Sequence, residues 1–137
     1  MSLRKLTDGE AGYIAGFIDG EGSLMLTRYQ DDPPRFQIRV VIANTDLGAL
    51  QCIRERIGGS IRMRRRQKPH HRDVCILTLN ANATRNLIPQ ILDRLIVKKE
   101  QAHVLLRALE MTSHKRGHEV IALKAEMTRL NHRGLVL

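Results

Sequence analysis

Two acidic residues, Asp19 and Glu21, lie at the end of a helix predicted over Asp8–Gly22. The C-terminus of a helix carries a partial negative charge, so an acidic side chain there costs about 0.3–1 kcal/mol. Apolar neighbours would raise that cost through partial burial. A divalent cation relieves it, because Mg²⁺ binds carboxylate and carbonyl oxygens. The alternative is that the two side chains accept hydrogen bonds from loop amides or pair with an arginine, and this alternative is favoured for Asp19.

Glycines recur along one face of the same helix, at Gly12, Gly16 and Gly20. A glycine inside a helix costs about 1 kcal/mol relative to alanine. The usual compensation is the close approach of a second backbone, which a face without side chains permits. That backbone belongs either to another helix or to the chain's own sheet, and the pattern leaves both possibilities open.

The chain is strongly basic, with 23 Lys and Arg residues against 14 Asp and Glu residues, a net charge of +9 and a pI near 10.4. Such an excess favours a polyanionic partner, with nucleic acid ahead of an anionic membrane. The first residues lack the apolar run of a secretion signal, and no segment has the length of a transmembrane helix. The sequence therefore predicts a soluble intracellular protein that is not secreted. Cys52 and Cys75 lack metal-ligand spacing and are expected to be reduced, buried thiols.

Alternation of apolar and polar residues marks the strands. Residues 35–43 alternate strictly, with Phe36, Ile38, Val40 and Ile42 on one face, which is typical of a half-buried strand. Further strands are predicted over 23–29, 60–67 and 73–79, and further helices over 44–57, 84–95, 99–112 and 118–131. The last strand is nearly all apolar, so its register cannot be deduced.

This order of elements predicts a single α+β domain over residues 1–137 with the arrangement αββαββα. The helix over about 8–22 is followed by one antiparallel four-stranded sheet over about 23–79 and by C-terminal helices over about 84–131. The helices are expected to pack on the apolar face of the sheet, which leaves the polar face as a surface.

The third predicted strand and the turn after it are unusually basic. Residues 60–72 contain no acidic residue but hold Arg62, Arg64, Arg65, Arg66, Lys68 and Arg72. Like charges at neighbouring positions of a sheet repel one another and are tolerated when an anion neutralises them. The polar face is therefore predicted to form a saddle that enters the major groove of duplex DNA, as two-stranded β-ribbons do.

The segment Ile14–Gly22, with the sequence IAGFIDGEG, resembles the LAGLIDADG signature of homing endonucleases and RNA maturases. The αββαββα order is similar to that of this family. Residues Val41–Asp46 resemble its junction between a strand and the second helix, and Val97–Ala102 resemble a later basic segment. The resemblance covers roughly residues 8–112. It implies a site-specific endonuclease of intron or intein mobility that hydrolyses both strands of double-stranded DNA.

The resemblance also implies a homodimer, because the chain carries one copy of the motif and a duplex has two strands to cut. Two copies of the motif helix would pack across a two-fold axis on a roughly palindromic target. The interface residues implied are Gly12, Ala15, Gly16 and Asp19. Glu21, assisted by the carbonyl group of Gly20, would hold Mg²⁺ or another divalent cation such as Mn²⁺. The family more often has an aspartate at the position of Glu21.

Two further residues match catalytic positions of the family. Asn44 lies where the family often has a glutamine that orders the attacking water, and its alternative role is to cap the second helix. Lys98 matches a basic residue that stabilises charge near the phosphate or polarises solvent. Its alternative role is that of an exposed surface lysine.

The predicted contacts with DNA follow the polar face of the sheet and the basic turn. They are Ser23, Met25, Thr27, Tyr29, Arg35, Gln37, Arg39, Arg62, Arg64, Arg66, Lys68 and Arg72. Arginine can pair with guanine and glutamine with adenine, and Lys68 is expected to meet phosphates. No membrane and no small-molecule substrate is expected. Other interpretations stay open: a DNA-binding regulator that does not cleave, an RNA maturase of the same fold, and a basic ribosome-associated protein.

Overall fold

The first helix and the second helix are each followed by a pair of antiparallel strands, and further helices come after the last strand. The computed structural model describes residues 5–65, 68, 70, 72–113 and 117–133, of which 112–113, 117–118 and 132–133 are described by their backbone alone. The elements are α1 (Asp8–Glu21), β1 (Gly22–Asp31), β2 (Pro34–Asn44), α2 (Leu47–Ile57), β3 (Ser60–Arg64), β4 (Val74–Leu79), α3 (Ala81–Ile91), a 3-10 turn (Leu92–Arg94), α4 (Lys99–Ser113) and α5 (Gly117–Arg133). This order confirms the predicted αββαββα arrangement.

The strands form one four-stranded antiparallel sheet in the order β1-β2-β4-β3. The predicted α+β class is thereby confirmed. The two strand pairs join through their second members, β2 and β4, which form the centre of the sheet. β1 and β3 are the edge strands of this sheet.

Helices cover one face of the sheet, and the strand residues of the hydrophobic core lie on that face. On β2, Val40 and Ile42 are buried, as the alternation predicted, and they pair with Leu79 and Leu77 of β4. Directly paired residues of antiparallel strands point to the same side. Leu77, Leu79 and the buried Cys75 therefore face the helices, which supplies the register that the apolar sequence of β4 left open.

Local sequence explains where α1 begins. The side-chain oxygen of Thr7 accepts a hydrogen bond from the backbone of Glu10 at 3.1 Å, and Glu10 Oε1 accepts one from the Thr7 backbone at 3.0 Å. This capping box satisfies amides that the first turn of a helix leaves without partners. Ile14 and Ile18 are fully buried on the inner side of α1. Burial of each such side chain contributes about 1.5–3 kcal/mol.

Ion pairs hold the first half of α1 in position. Arg94 Nη2 lies 2.8 Å from Asp8 Oδ1, and Arg56 Nε lies 2.8 Å from Glu10 Oε2. The Arg94–Asp8 pair is exposed, and a pair of this kind contributes about 0–1 kcal/mol, while the Arg56–Glu10 pair is partly buried. Arg56 Nη1 also donates to the carbonyl oxygen of Cys52 at 2.7 Å. Cys52 is exposed, so the expectation of two buried thiols is wrong at this position.

Some element ends differ from the predicted ones. α3 begins at Ala81, earlier than predicted, because Asn80 Oδ1 accepts a hydrogen bond from the Ala83 backbone at 2.9 Å and caps the helix there. The helix predicted to reach residue 95 ends at Ile91 and continues as the 3-10 turn. β3 ends at Arg64, and residues 66 and 67 of the predicted strand lie outside the described residues. Within the described part of the chain, no helix is long and apolar enough to span a membrane.

Candidate active site and nucleic-acid interface

α1 passes directly into β1, with Glu21 as the last residue of the helix and Gly22 as the first residue of the strand. A Cβ atom at Gly22 would lie 2.9 Å from the carbonyl oxygen of Ile18 and 3.1 Å from Ile18 Cγ2. This close approach requires glycine at the turn. Glu21 and Gly20 are both exposed. The turn therefore presents the Glu21 side chain and the end of the helix backbone to solvent.

Asp19 accepts hydrogen bonds from three successive backbone amides of the loop before α4. Asp19 Oδ2 lies 2.7 Å from the nitrogen of Ile96, and Oδ1 lies 3.2 Å from that of Val97 and 3.0 Å from that of Lys98. Amides at the start of a helix have no intrahelical partner and attract negative charge. This is the amide-capping arrangement favoured for Asp19 from the sequence. The Asp19 carboxylate is thus bound by its own chain, and the position of Asp19 at a dimer interface stays a prediction.

Lys98 is half-buried against the end of α1. Its Nζ donates a hydrogen bond of 2.6 Å to the backbone carbonyl oxygen of Asp19. The interpretation of Lys98 as a freely exposed surface lysine is therefore wrong. The partial negative charge at a helix C-terminus favours a cation at this place. The contact brings the ammonium group of Lys98 to the same end of α1 as the carboxylate of Glu21.

Asn44 is the last residue of β2. Ile42 pairs with Gly22, so Asn44 lies beyond the first residue of β1, at the end of the sheet where α1 meets β1. Asn44 Oδ1 accepts a hydrogen bond from the backbone of Asp46 at 2.7 Å. The cap of α2 is Asp46, whose Oδ1 accepts from the Ala49 backbone at 3.0 Å. The capping alternative for Asn44 is therefore wrong, and its role in ordering water stays a prediction.

The glycine face of α1 points away from the rest of the described chain. A Cβ atom at Gly12, Gly16 or Gly20 would meet no atom of the described residues within 4 Å. The interpretation that this face packs on the chain's own sheet is therefore wrong. Tyr13, next to the glycines, is 53% exposed. Ala15 is only 1% exposed and belongs to the chain's own core, and its place in a dimer interface stays a prediction.

The side of the sheet opposite the helices, here called the polar face, carries the residues predicted to contact DNA. Direct pairing in an antiparallel sheet places both side chains on the same side. The pairs on this face are Met25–Arg39, Thr27–Gln37, Ile76–Arg62 and Val74–Arg64, with the row Ser23–Val41–Thr78–Ser60. The predicted contacts of β1, β2 and β3 in this set are exposed or half-exposed. They form one continuous surface.

β4 contributes Val74, Ile76 and Thr78 to the polar face, and sequence reasoning missed them. Alternation of apolar and polar residues could not show which side of β4 faces outwards, because β4 is apolar on both sides. Ala43 pairs with Ile76 at the centre of the face. Arginines on β2 and β3 thus surround an apolar centre, and apolar side chains in the major groove contact the methyl group of thymine.

Arg39 has an incompletely satisfied guanidinium group on the polar face. Its Nε is buried without a hydrogen-bond partner among the described residues, and its Nη2 lies 4.0 Å from the sulfur of Met25. A thioether is a weak acceptor. A buried donor that lacks a partner costs about 1–3 kcal/mol. An acceptor atom of a base or phosphate that reached this face would satisfy it.

Other predicted contacts lie around the polar face. Tyr29 lies in an irregularity of the β1–β2 pairing, between Arg28 and Gln30, and is 62% exposed. The exposed basic residues are Arg35, Lys68 and Arg72. Arg66 lies outside the described residues.

A divalent cation at Glu21 needs ligands from beyond one chain. Across residues 5–65, 68, 70, 72–113 and 117–133, no group of three or more His, Cys, Asp and Glu side chains comes together to hold a metal ion. Mg²⁺ commonly takes one or two carboxylates and completes its coordination with water and substrate phosphates. The exposed carboxylate of Glu21 and the backbone of Gly20 fit that arrangement.

The family model described as LAGLIDADG endonuclease matches residues 14–106, from within α1 to within α4. The chain therefore belongs to the LAGLIDADG endonuclease family. The comparison with curated protein sequences gave no match.

Solved structures of homing endonucleases share this fold. An archaeal intron-encoded homing endonuclease, I-Vdi141I, in complex with DNA, is 26% identical with a TM-score of 0.73, over 90% of this chain and 84% of that chain. The homing endonuclease I-CvuI, in complex with its target in the presence of calcium, is 16% identical with a TM-score of 0.69, over 88% and 81%. I-SmaMI, bound to an uncleaved DNA target with calcium ions, is 22% identical with a TM-score of 0.70, over 91% of this chain and 46% of that chain.

Proposed function

We propose that this protein is a homing-type endonuclease that binds duplex DNA as a homodimer and cuts both strands with the help of divalent cations. The observation that carries the proposal is the end of α1, where the exposed Glu21 carboxylate, the Lys98 ammonium group and an open glycine face occur together. A protein that only bound DNA would gain nothing from a carboxylate at the negative end of a helix. The net charge of +9 supports a polyanionic substrate.

A second copy of the chain is the proposed partner of the glycine face. Two-fold symmetry brings the same face of both copies together. Gly12 and Gly16 would let two α1 helices approach without displacing any side chain of the described residues. The same symmetry would bring two Glu21 carboxylates to the centre, one for each DNA strand. A target that matches this symmetry is roughly palindromic.

Glu21 and the backbone carbonyl of Gly20 are proposed to hold a divalent cation, Mg²⁺ or Mn²⁺. When bound, such a cation activates water and neutralises charge on the scissile phosphate. Glutamate is one methylene longer than the aspartate common at this position of the family, but it supplies the same ligand atoms. Two carboxylates that face each other across the dimer axis repel, and this repulsion favours cation binding.

Lys98 and Asn44 are proposed to act on charge and solvent around the phosphate. The Lys98 ammonium group, held by the carbonyl of Asp19, supplies positive charge as negative charge builds on the phosphate oxygens. Asn44 uses Oδ1 to accept from the backbone of Asp46, and its NH2 group is the proposed donor to the attacking water.

The polar face is proposed to enter the major groove. Arg39, Arg62 and Arg64 can pair with O6 and N7 of guanine, and Gln37 can pair with adenine. Met25 and Val41 can contact thymine methyl groups. Lys68 and the other basic residues near the face are proposed to bind phosphates, which position the duplex without reading its sequence.

Incubation with a random-site DNA library and Mg²⁺, followed by sequencing of the cut ends, tests this function. The wild-type protein is expected to make double-strand cuts at one recurring sequence with two-fold symmetry. Glu21→Gln keeps the size of the side chain and removes its charge, so it should bind the selected DNA and fail to cut it. Asp93→Asn, an exposed acid away from the end of α1, is the matched control and should cut normally.

Each contrary outcome has its own meaning. Wild-type protein that binds DNA but cuts it with neither Mg²⁺ nor Mn²⁺ is a DNA-binding regulator, and the proposal fails. Cutting by Glu21→Gln at the wild-type rate would contradict the proposal that Glu21 holds the divalent cation. Tighter binding to structured intron RNA than to duplex DNA favours an RNA maturase.

A further inference from the structure

A cavity of about 570 Å³ opens between the edge strand β1 and the helices α4 and α5. Residues 22–27 of β1 form one wall. The polar residues that line it are Ser23, Thr27, Lys98, Gln101, Lys124 and Asn131. None of the described residues that line the cavity is acidic, so its polar lining is cationic or neutral.

Gln101 is a buried polar residue of this cavity. Only 7% of its surface is exposed, and its Oε1 has no hydrogen-bond partner among the described residues. A buried amide with an unpaired atom is destabilising. A carboxamide group offers one acceptor atom and two N–H donors, and rotation about its last bond exchanges them. With the carboxamide rotated so that its NH2 group faces the cavity, Gln101 donates a hydrogen bond to an acceptor oxygen of a ligand there.

The other residues that line the cavity indicate the chemistry of a matching ligand. Lys124 is half-buried, and its hydrogen bond to the Thr128 hydroxyl is long, at 3.5 Å. Ammonium, amide and hydroxyl groups all donate hydrogen bonds, while Met127 and Leu130 add apolar surface. A matching ligand carries negative charge, acceptor oxygens and an apolar part. A phosphate group attached to a sugar has these properties.

The position of the cavity indicates where such a phosphate comes from. Ser23, Met25 and Thr27 line the cavity and also belong to the polar face. Lys98 lines it as well and contacts the end of α1. The cavity is therefore continuous with both parts of the candidate site, which favours the DNA backbone over a free anion.

We propose that this cavity binds a phosphate of the DNA backbone where the duplex passes over the edge of β1. Lys124 supplies the main contact, and Gln101 supplies a hydrogen bond from the buried wall. The inference rests on the proposed function and extends the DNA contacts from the sheet to α5, a helix without any predicted contact.

The salt dependence of DNA binding tests the role of Lys124. Each phosphate neutralised by a cationic side chain adds about 0.9 to the slope of log K against log salt concentration. Because the proposed homodimer carries two copies of Lys124, Lys124→Gln is expected to lower this slope by about two and to weaken binding to a short synthetic duplex about tenfold per protomer at low salt. Arg129→Gln removes a charge from an exposed position of α5 that does not line the cavity, and its slope is expected to equal that of the wild type.

Rescue and phosphate substitution distinguish a direct contact from a structural effect. Lys124→Arg keeps the charge and should restore the slope. A scan of the cleavage target with single methylphosphonates, which neutralise one phosphate at a time, should weaken wild-type binding at one position in each half-site. The same substitution should not weaken Lys124→Gln further, because the contact is already lost.

The outcomes separate this inference from the function on which it rests. Wild-type protein that binds no duplex DNA contradicts the proposed function itself. Duplex binding by the wild type with equal slopes for Lys124→Gln and Arg129→Gln contradicts the cavity assignment alone. Saturable binding of inorganic phosphate that depends on Lys124, combined with an unchanged slope for DNA, would assign the cavity to a free anion and overturn the inference.

Discussion

Asp19 and Lys98 are joined by two hydrogen bonds, and in both of them Lys98 donates and Asp19 accepts. The Asp19 carboxylate accepts from the Lys98 backbone at 3.0 Å, and the Lys98 ammonium group donates to the Asp19 carbonyl oxygen at 2.6 Å. The end of α1 and the start of α4 are therefore connected at the point where Glu21 emerges. The position of the ammonium group relative to Glu21 depends on this connection.

Replacement of Asp19 is expected to loosen that connection. Asp19→Ala leaves the amides of Ile96, Val97 and Lys98 without their acceptor, which should lower the free energy of unfolding by about 1–2 kcal/mol. Cleavage should fall more than DNA affinity, because Lys98 loses its anchor. Urea unfolding and single-turnover cleavage measure the two effects. Asp32→Ala in the exposed hairpin turn is the control, and equal unfolding midpoints for both variants would refute the role of Asp19.

Removal of the Lys98 charge is expected to affect chemistry more than binding. Lys98→Met should reduce the cleavage rate on bound DNA by about 100-fold or more, the size of effect typical of a group that stabilises charge in the transition state. Lys99→Met removes the neighbouring charge and should leave the cleavage rate of bound DNA almost unchanged. Single-turnover rates at saturating protein give the comparison. Equal rates for the two variants would show that the ammonium group of Lys98 takes no part in cleavage.

A large side chain on the glycine face is expected to block dimer formation and spare the fold of the chain. A Cβ atom at Gly16 would meet no atom of the described residues within 4 Å, and leucine has a higher helix propensity than glycine. The variant should keep its far-UV circular dichroism spectrum and sediment as a monomer. Ala122→Leu adds the same side chain to an exposed position of α5 and should leave the oligomeric state unchanged. A dimer of Gly16→Leu would mean that α1 is not the interface.

Loss of one arginine from the polar face is expected to relax sequence preference. Arg62→Gln should weaken binding to the selected target by about 1–3 kcal/mol for each half-site and broaden the base preference at one position of each half-site. Arg54→Gln removes an exposed arginine of α2 and should change neither the preferred sequence nor the affinity for it. A repeat of the library selection with both variants makes the comparison. An unchanged selected sequence for Arg62→Gln would exclude a base contact by this residue.

Local patterns predicted the parts of the fold that depend on local structure. The alternation in β2 gave its buried face, and the end of α1 near Gly22 was expected from the motif. The strand order and the register of β4 depend on contacts between distant segments. Because Val74–Leu79 is apolar on both sides, the pairing of Leu77 with Ile42 could not be predicted from the alternation of apolar and polar residues.

The candidate site also has a part that the sequence predicted and a part that depends on contacts between distant segments. Glu21 and the glycine face were identified from residue type and spacing. Each is unfavourable for the helix that carries it, and this free-energy cost can be recognised from the sequence of the helix alone. The contact of Asp19 with Ile96 and the amides that follow joins segments far apart in sequence, and no local pattern reports it. Ala15 was grouped with the glycine face because it is small and next to Gly16, but it packs in the chain's own core. Neighbouring residues of a helix differ by about 100° in direction, and this rotation turns Ala15 into the core.

The direct passage from α1 into β1 has a consequence for where such an enzyme cuts. Glu21 is followed at once by Gly22, and Ser23 is already on the polar face. The carboxylate proposed to hold the cation and the first side chain proposed to contact a base are thus spaced by the covalent backbone, with no loop to lengthen or shorten the interval. Redesign of the strands would change which bases are recognised. The stagger between the two nicks, and so the length of the single-stranded overhangs, would stay the same.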